Sequence, residues 1–175
     1  MTRTVNTQTA HTQTKPVTRQ SPANPAATDD ELASQPVGYW TGVAQRAVVG
    51  YLRDSLARLD VAQPMWWTMN QVLAAGERGI GRETVAERLA DVADDAYAVP
   101  RAVDQLLCRG WLTATGPDGT LHLTEAGLEA HARIKRRVDE IRAEVHEGVT
   151  DEEYVAALKV LRRMQANVAR VRTGA

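Results

Sequence analysis

Arg101 and Gln105 stand four residues apart in the run Tyr97-Ala98-Val99-Pro100-Arg101-Ala102-Val103-Asp104-Gln105-Leu106-Leu107, and both are side-chain types that read base edges. A guanidinium offers the fork that matches guanine O6 and N7, and a carboxamide pairs with the adenine edge. With Val99, Val103, Leu106 and Leu107 turned inward, helical geometry sets Tyr97, Arg101 and Gln105 on the opposite face. Arg78, Arg82 and Arg109 flank the run as cations for phosphates, with Thr84 as a neutral donor. The same residues also describe an ordinary solvated helix face, so their chemistry depends on what positions them.

A second constellation is aromatic. The chain has no Phe, and Tyr39, Trp40, Tyr51, Trp66 and Trp67 supply much of its aromatic content on two successive helical stretches. Those rings, with Arg46 as counter-charge, suit a planar acid or phenol. Hydrophobic core with a snorkelling arginine is the plainer reading of the same residues. Catalytic and metal chemistry finds less to work with. His11, His122, His131 and His146 are scattered with no i, i+4 pair, so no zinc ligand set stands at a known spacing. A Gly-rich phosphate loop and a G-x-S-x-G elbow are missing too, and the expectation is a protein that is not an enzyme and carries no cofactor and no metal. The single cysteine, Cys108, excludes an intrachain disulfide and falls beside the apolar face of its helix, where it reads as a packing residue before a redox switch.

The elements that hold these residues follow from punctuation. Trp111-Leu112-Thr113-Ala114-Thr115 and Thr120-Leu121-His122-Leu123 flank the turn Gly116-Pro117-Asp118-Gly119, which makes a β-hairpin directly between helices. Two short helices precede it, Arg82 to Asp91 and roughly Tyr97 to Arg109, and helix, helix, hairpin is the order of a winged helix-turn-helix. Pro100 argues that the second of these starts late, near Ala98 or Val99, or is kinked there, because inside a helix it removes a donor and clashes with the preceding turn. Tyr97 then falls on the connection and the reading stripe shrinks to Arg101 and Gln105.

Long amphipathic segments surround this lobe. Trp40, Ala44, Ala47, Val48, Tyr51, Ser55, Leu56 and Leu59 recur at three- and four-residue steps, and a further helix opens at Gln63-Pro64, burying some of Trp66, Met69, Val72 and Leu73. Thr124 is placed to cap a helix with Leu128, Ile134, Val138, Ile141 and Val145 on one stripe. Thr150-Asp151-Glu152-Glu153 is a capping box that opens a last helix carrying Tyr154, Leu158, Leu161, Val168 and Val171. Such stripes exceed what a small lobe needs for its own core and most simply bury one another and a twofold partner. The fold class expected is mainly α with a small β-hairpin wing: a winged helix-turn-helix lobe over 63–124 and dimerisation helices over 36–60 and 125–172. Residues 1–35, rich in Thr, Gln, Pro and Asn, read as a disordered tail in which Arg3, Lys15 and Arg19 are offset by Asp29, Asp30 and Glu31.

At 175 residues, 43% of them hydrophobic, the chain has room for one such domain, and its net charge of −1 confines any contact with a polyanion to a local patch. No run is long and apolar enough for a membrane span, and the Thr/Gln-rich start lacks the apolar stretch of a signal peptide, so a cytoplasmic location is expected.

Taken together, Thr84-Val85-Ala86-Glu87-Arg88-Leu89, Arg101 to Leu112 and Leu121-His122-Leu123-Thr124-Glu125-Ala126-Gly127 resemble the winged-helix core of the MarR family of bacterial transcriptional regulators. Gln63-Pro64-Met65-Trp66-Trp67-Thr68 is similar to the start of that family's preceding helix, and the likeness extends over about Pro36 to Val171. The resemblance implies a homodimeric, usually repressing protein that binds duplex DNA and is often released by a small aromatic or phenolic effector. It places a basic residue of the recognition helix at Arg101, and an effector pocket between the dimer helices and the DNA-binding lobe. Two features depart from the family's pattern. The hairpin Thr113 to Thr120 has no Arg or Lys to reach a minor groove, and Asp91, Asp94 and Asp95 crowd the approach to the reading helix, where carboxylates repel phosphates. These departures keep a second function class open, a winged-helix dimer whose head docks proteins without specific DNA binding.

Overall fold

The computed structural model describes residues 27–174. Contacts divide the chain into two units at the junction of Trp40 and Thr41. The first unit corrects one expectation: part of the stretch read as disordered tail forms a helix, α1 (Asp29–Ala33). Its cause is local, because Thr28 and Glu31 make a reciprocal capping box, the Thr28 N–H donating to the Glu31 carboxylate at 2.8 Å and the Glu31 N–H to Thr28 Oγ1 at 3.3 Å. Asp29, Asp30 and Glu31 in the first turn also favour the positive end of the helix dipole. Arg3, Lys15 and Arg19 lie outside the described residues.

Helix α2 (Val37–Ala57) follows, then α3 (Gln63–Ala75), a 3-10 turn over Gly76–Arg78, α4 (Arg82–Leu89), α5 (Ala98–Cys108), β1 (Leu112–Thr115), β2 (Thr120–Leu123), α6 (Glu125–Val145) and α7 (Asp151–Thr173). Pro64 occupies the first turn of α3, where its missing N–H costs nothing. The core gathers on α3: Met65, Met69 and Val72 are buried with Val85 and Leu89 of α4, Val99, Val103 and Leu106 of α5, Leu112 and Leu121 of the hairpin, and Ile134 of α6. Of the four α3 positions expected to supply its buried face, Met69 and Val72 are buried, Trp66 is half-buried and Leu73 is exposed, while Met65 and Thr68 are sealed beside them.

The hairpin pairs Leu112 with Leu123 and Ala114 with Leu121 in antiparallel register. It is tied to the lobe by a third segment. Ile80, just before α4, exchanges both backbone hydrogen bonds with Leu121, at 3.2 and 2.9 Å, so the wing root cannot swing independently of the helix pair. On its other side the Thr124 N–H donates to the Trp111 carbonyl at 3.1 Å. Gly127 lies where the first turn of α6 runs against that same carbonyl, and a Cβ there would collide with it.

Helix α5 begins at Ala98, as Pro100 requires. Pro100 is its third residue, within the first turn whose N–H groups have no partner inside the helix, and Tyr97 stands outside as N-cap. Thr124 caps α6 by accepting the Gly127 N–H at 3.0 Å, and Thr150 and Glu153 form the expected capping box of α7. The stripe of α6 is narrower than its sequence pattern: Ile134 and Ile141 are buried, whereas Leu128 and Val145 are exposed. No residue of α7 is buried.

Candidate nucleic-acid interface

The outer face of α5 presents Arg101, Asp104, Gln105 and Cys108 to solvent, with Tyr97 exposed at its start. Its inner face carries Val99, Ala102, Val103 and Leu106, all buried, so the orientation inferred from periodicity is the one found. Cys108 differs from expectation: it is exposed, because at the last turn the packed face has rotated past it.

Carboxylates organise the arginines around this face. One nitrogen of Arg101, Nη2, donates to both oxygens of Asp95, at 3.1 and 2.8 Å. Asp95 Oδ1 also accepts the Tyr97 N–H at 2.7 Å, and these two donors, the backbone amide foremost, hold its carboxyl below the usual range. The neighbouring Asp94 accepts Arg53 Nη2 on both oxygens, at 2.9 and 2.8 Å, while Arg53 Nε donates to the buried Gln63 Oε1 at 2.8 Å. Two of the three acids that sequence alone sets against phosphates are therefore engaged with arginines. Arg82 is paired with Asp104, and Arg109 with Asp60 at 2.7 Å while its guanidinium lies 5.1 Å from the Trp111 ring centre. Arg78, on the 3-10 turn, makes no ion pair among the described residues. Thr84 is half-buried where α4 meets the hairpin, in a groove shared with Arg82, Leu107, Ala114 and Asp118. Asp60, Asp104 and Arg53 escape sequence reasoning: the Arg109–Asp60 contact spans the loop after α2, and no local period announces it.

The aromatic constellation has partners of its own. In the first unit Trp40 Nε1 donates to Gln35, and its ring meets Tyr39 edge-on at 5.4 Å. In the second, the Tyr51 hydroxyl donates to Glu144 and accepts from Arg137 Nη2 at 3.1 Å, and the Glu144 carboxyl is lowered, chiefly by that hydroxyl and then by Arg137. Trp66 stacks on His131 at 4.8 Å, and His131 Nε2 lies 2.8 Å from Asn70 Oδ1. Burial, reinforced by Lys135, depresses the His131 pKa. Trp67 packs on the core and Arg46 is exposed.

A helix-turn-helix pair, a hairpin bonded to the segment before its first helix and long helices to either side define a winged helix set in a helical scaffold. No protein-family model and no curated protein matches the chain. Solved structures do. It is similar to a MarR family transcriptional regulator from Silicibacter pomeroyi, at 21% identity and a TM-score of 0.60 over 81% of this chain and 99% of that one. Wild-type MarR from E. coli in its apo form gives 19% and 0.58 over 74% and 96%, and CouR from Rhodococcus jostii RHA1 bound to p-coumaroyl-CoA gives 20% and 0.58 over 79% and 92%. The chain has the fold of MarR family transcriptional regulators. Among its described residues no helix is long and apolar enough to cross a membrane, and no group of three or more His, Cys, Asp or Glu is placed to hold a metal.

Proposed function

We propose that this chain is a cytoplasmic, homodimeric transcriptional regulator of the MarR type that binds a pseudo-palindromic duplex with one α5 per half-site and represses until a small aromatic or phenolic ligand releases it. The observation that carries the reading is the exposed pair Arg101 and Gln105 on α5, beside a hairpin in this particular fold. Arg78, Arg82, Arg109 and Thr84 serve as phosphate contacts, with Tyr97 at the helix start. The dimer is supported by α7, whose Val155, Leu158, Met164, Val168 and Val171 are exposed along a helix with nothing buried. The effector is supported by fold likeness to a protein solved with p-coumaroyl-CoA, and Trp40, Arg46, Tyr51, Trp66 and Trp67 are the residues to examine for it.

The test is selection of duplexes from a random pool, followed by gel shifts at low and physiological salt with and without phenolic acids. A regulator selects a two-fold motif and loses affinity steeply as salt rises. One observation favours a protein-docking module instead: Arg82, Arg101 and Arg109 are all matched by carboxylates, and the wing carries no cation. That module retains no duplex even at low salt.

A further inference from the structure

We propose that Asp95 is a positioning residue for base discrimination: it anchors Arg101 by a single nitrogen and so fixes the direction in which the rest of the guanidinium fork is offered. The inference rests on the DNA-binding reading above. Arginine reads a base by two parallel donors, and its long side chain must lose rotational freedom to align them, so a group that fixes it beforehand sharpens discrimination. Asp95 has the geometry to do this. Its Oδ1 accepts the Tyr97 N–H at 2.7 Å, which locks the carboxylate to the start of α5, while both oxygens take Nη2 of Arg101. Both two-donor edges of a guanidinium share Nη2, and the single carboxylate of Asp95 takes only one of the two N–H groups of that nitrogen, so one edge keeps both of its donors and the pair orients the fork without consuming it. The segment that carries Asp95 is itself held, since Asp94 binds Arg53 of α2 and Arg53 is fixed by the buried Gln63. Asp91, on the same connection, makes no ion pair among the described residues and supplies a charge without a clasp.

Simple neutralisation of Arg101 makes the opposite forecast, and the experiment separates the two. The full chain, its Asp95→Asn and Asp91→Asn variants, and Asp95→Asn in an Arg101→Ala background are titrated against the duplex selected by the wild type and against a scrambled duplex. The carboxamide introduced by Asp95→Asn keeps an acceptor for the Tyr97 N–H, so the thermal midpoint should fall only slightly, by what the exposed ion pair with Arg101 contributes. The expected result is that Asp95→Asn lowers the ratio of selected to scrambled affinity about tenfold. Asp91→Asn should raise both affinities together and leave the ratio intact, and Asp95→Asn should add nothing once Arg101 is replaced by Ala. A ratio preserved in Asp95→Asn, or lowered equally without Arg101, overturns the positioning role alone. A wild type that selects no duplex overturns the DNA-binding reading, and the role of Asp95 with it.

Discussion

The lobe and the last helix of this chain use apolar residues in opposite ways. In the lobe, Val85, Val103 and Leu106 are fully shielded, and each of α3, α4, α5 and the hairpin contributes to one cluster. In α7, over 23 residues, none is buried, and Val168 and Val171 remain 57% and 77% exposed. Its capping box contributes about 1 kcal/mol, and a helix whose side chains bury nothing is marginal in water. Ring contacts to the preceding helix end sit at its start, where the Tyr154 ring lies 4.5 Å from His146. The lobe is therefore stabilised from within, whereas α7 carries an apolar face in want of another surface, for which a second copy of the same helix is the proposed occupant.

The most direct way to break the contrast is to damage the lobe. Leu106→Ala, at a site with no exposure, should lower unfolding free energy by about 3 kcal/mol in urea titrations. Gly127→Ala should lower it by about 2 kcal/mol, although an exposed helical Gly replaced by Ala ordinarily gains stability, because here the Cβ meets the Trp111 carbonyl. A gain would show that the first turn of α6 yields easily and that the wing root is less constrained than its bonds imply. Paired replacement of Leu158 and Val168 by Ser sharpens the contrast from the other side. Loss of apolar area at an interface should weaken self-association by at least about tenfold in sedimentation equilibrium. Lobe stability measured on the monomer should stay within about 0.5 kcal/mol of the parent. Equal loss in both measurements would make α7 part of the lobe's own core.

Legibility follows the same divide. The hairpin, the caps at Thr124 and Thr150, and the late start of α5 were readable because each depends on residues within a few positions of one another: Gly116 to Gly119, Thr150 with Glu153, Pro100 with its own turn. α1 obeys the same local rule through Thr28 and Glu31, but the composition of its surroundings outweighs a single capping box when the sequence is read alone. The candidate site was legible in its outward face and not in its ion pairs. Periodicity turns Arg101 and Gln105 outward, yet it is blind to Asp60 reaching Arg109, or to Arg53 joining Asp94, since these meet only after the chain has turned. The stripe on α2 promises more burial than the chain delivers, for a related reason. Apolar spacing marks which face of a helix could be covered and not what covers it, and within α2 only Ser55 and Leu56 are buried.

The smallest effect tests the border between the two regions, where α6 leaves the lobe. His131 is 7% exposed, stacked on Trp66 and bonded to Asn70, and burial together with Lys135 keeps its pKa below the ordinary 6.5. A histidine depressed in the folded state favours the neutral ring there, so its contribution to stability is complete above 6.5. As pH falls below that value the unfolded chain takes the proton first, and the contribution is lost until the folded ring also protonates. The urea midpoint should therefore fall between about pH 7.5 and about pH 5.5. That fall should be smaller in His131→Asn, which can still bond Asn70. The lowered carboxyls of Asp95 and Glu144 act at more acid pH and do not enter this window. An identical fall in both proteins would mean that protonation of His131 is no harder in the folded chain than in the unfolded one, and that the Trp66 stack is open to water at the edge of the lobe.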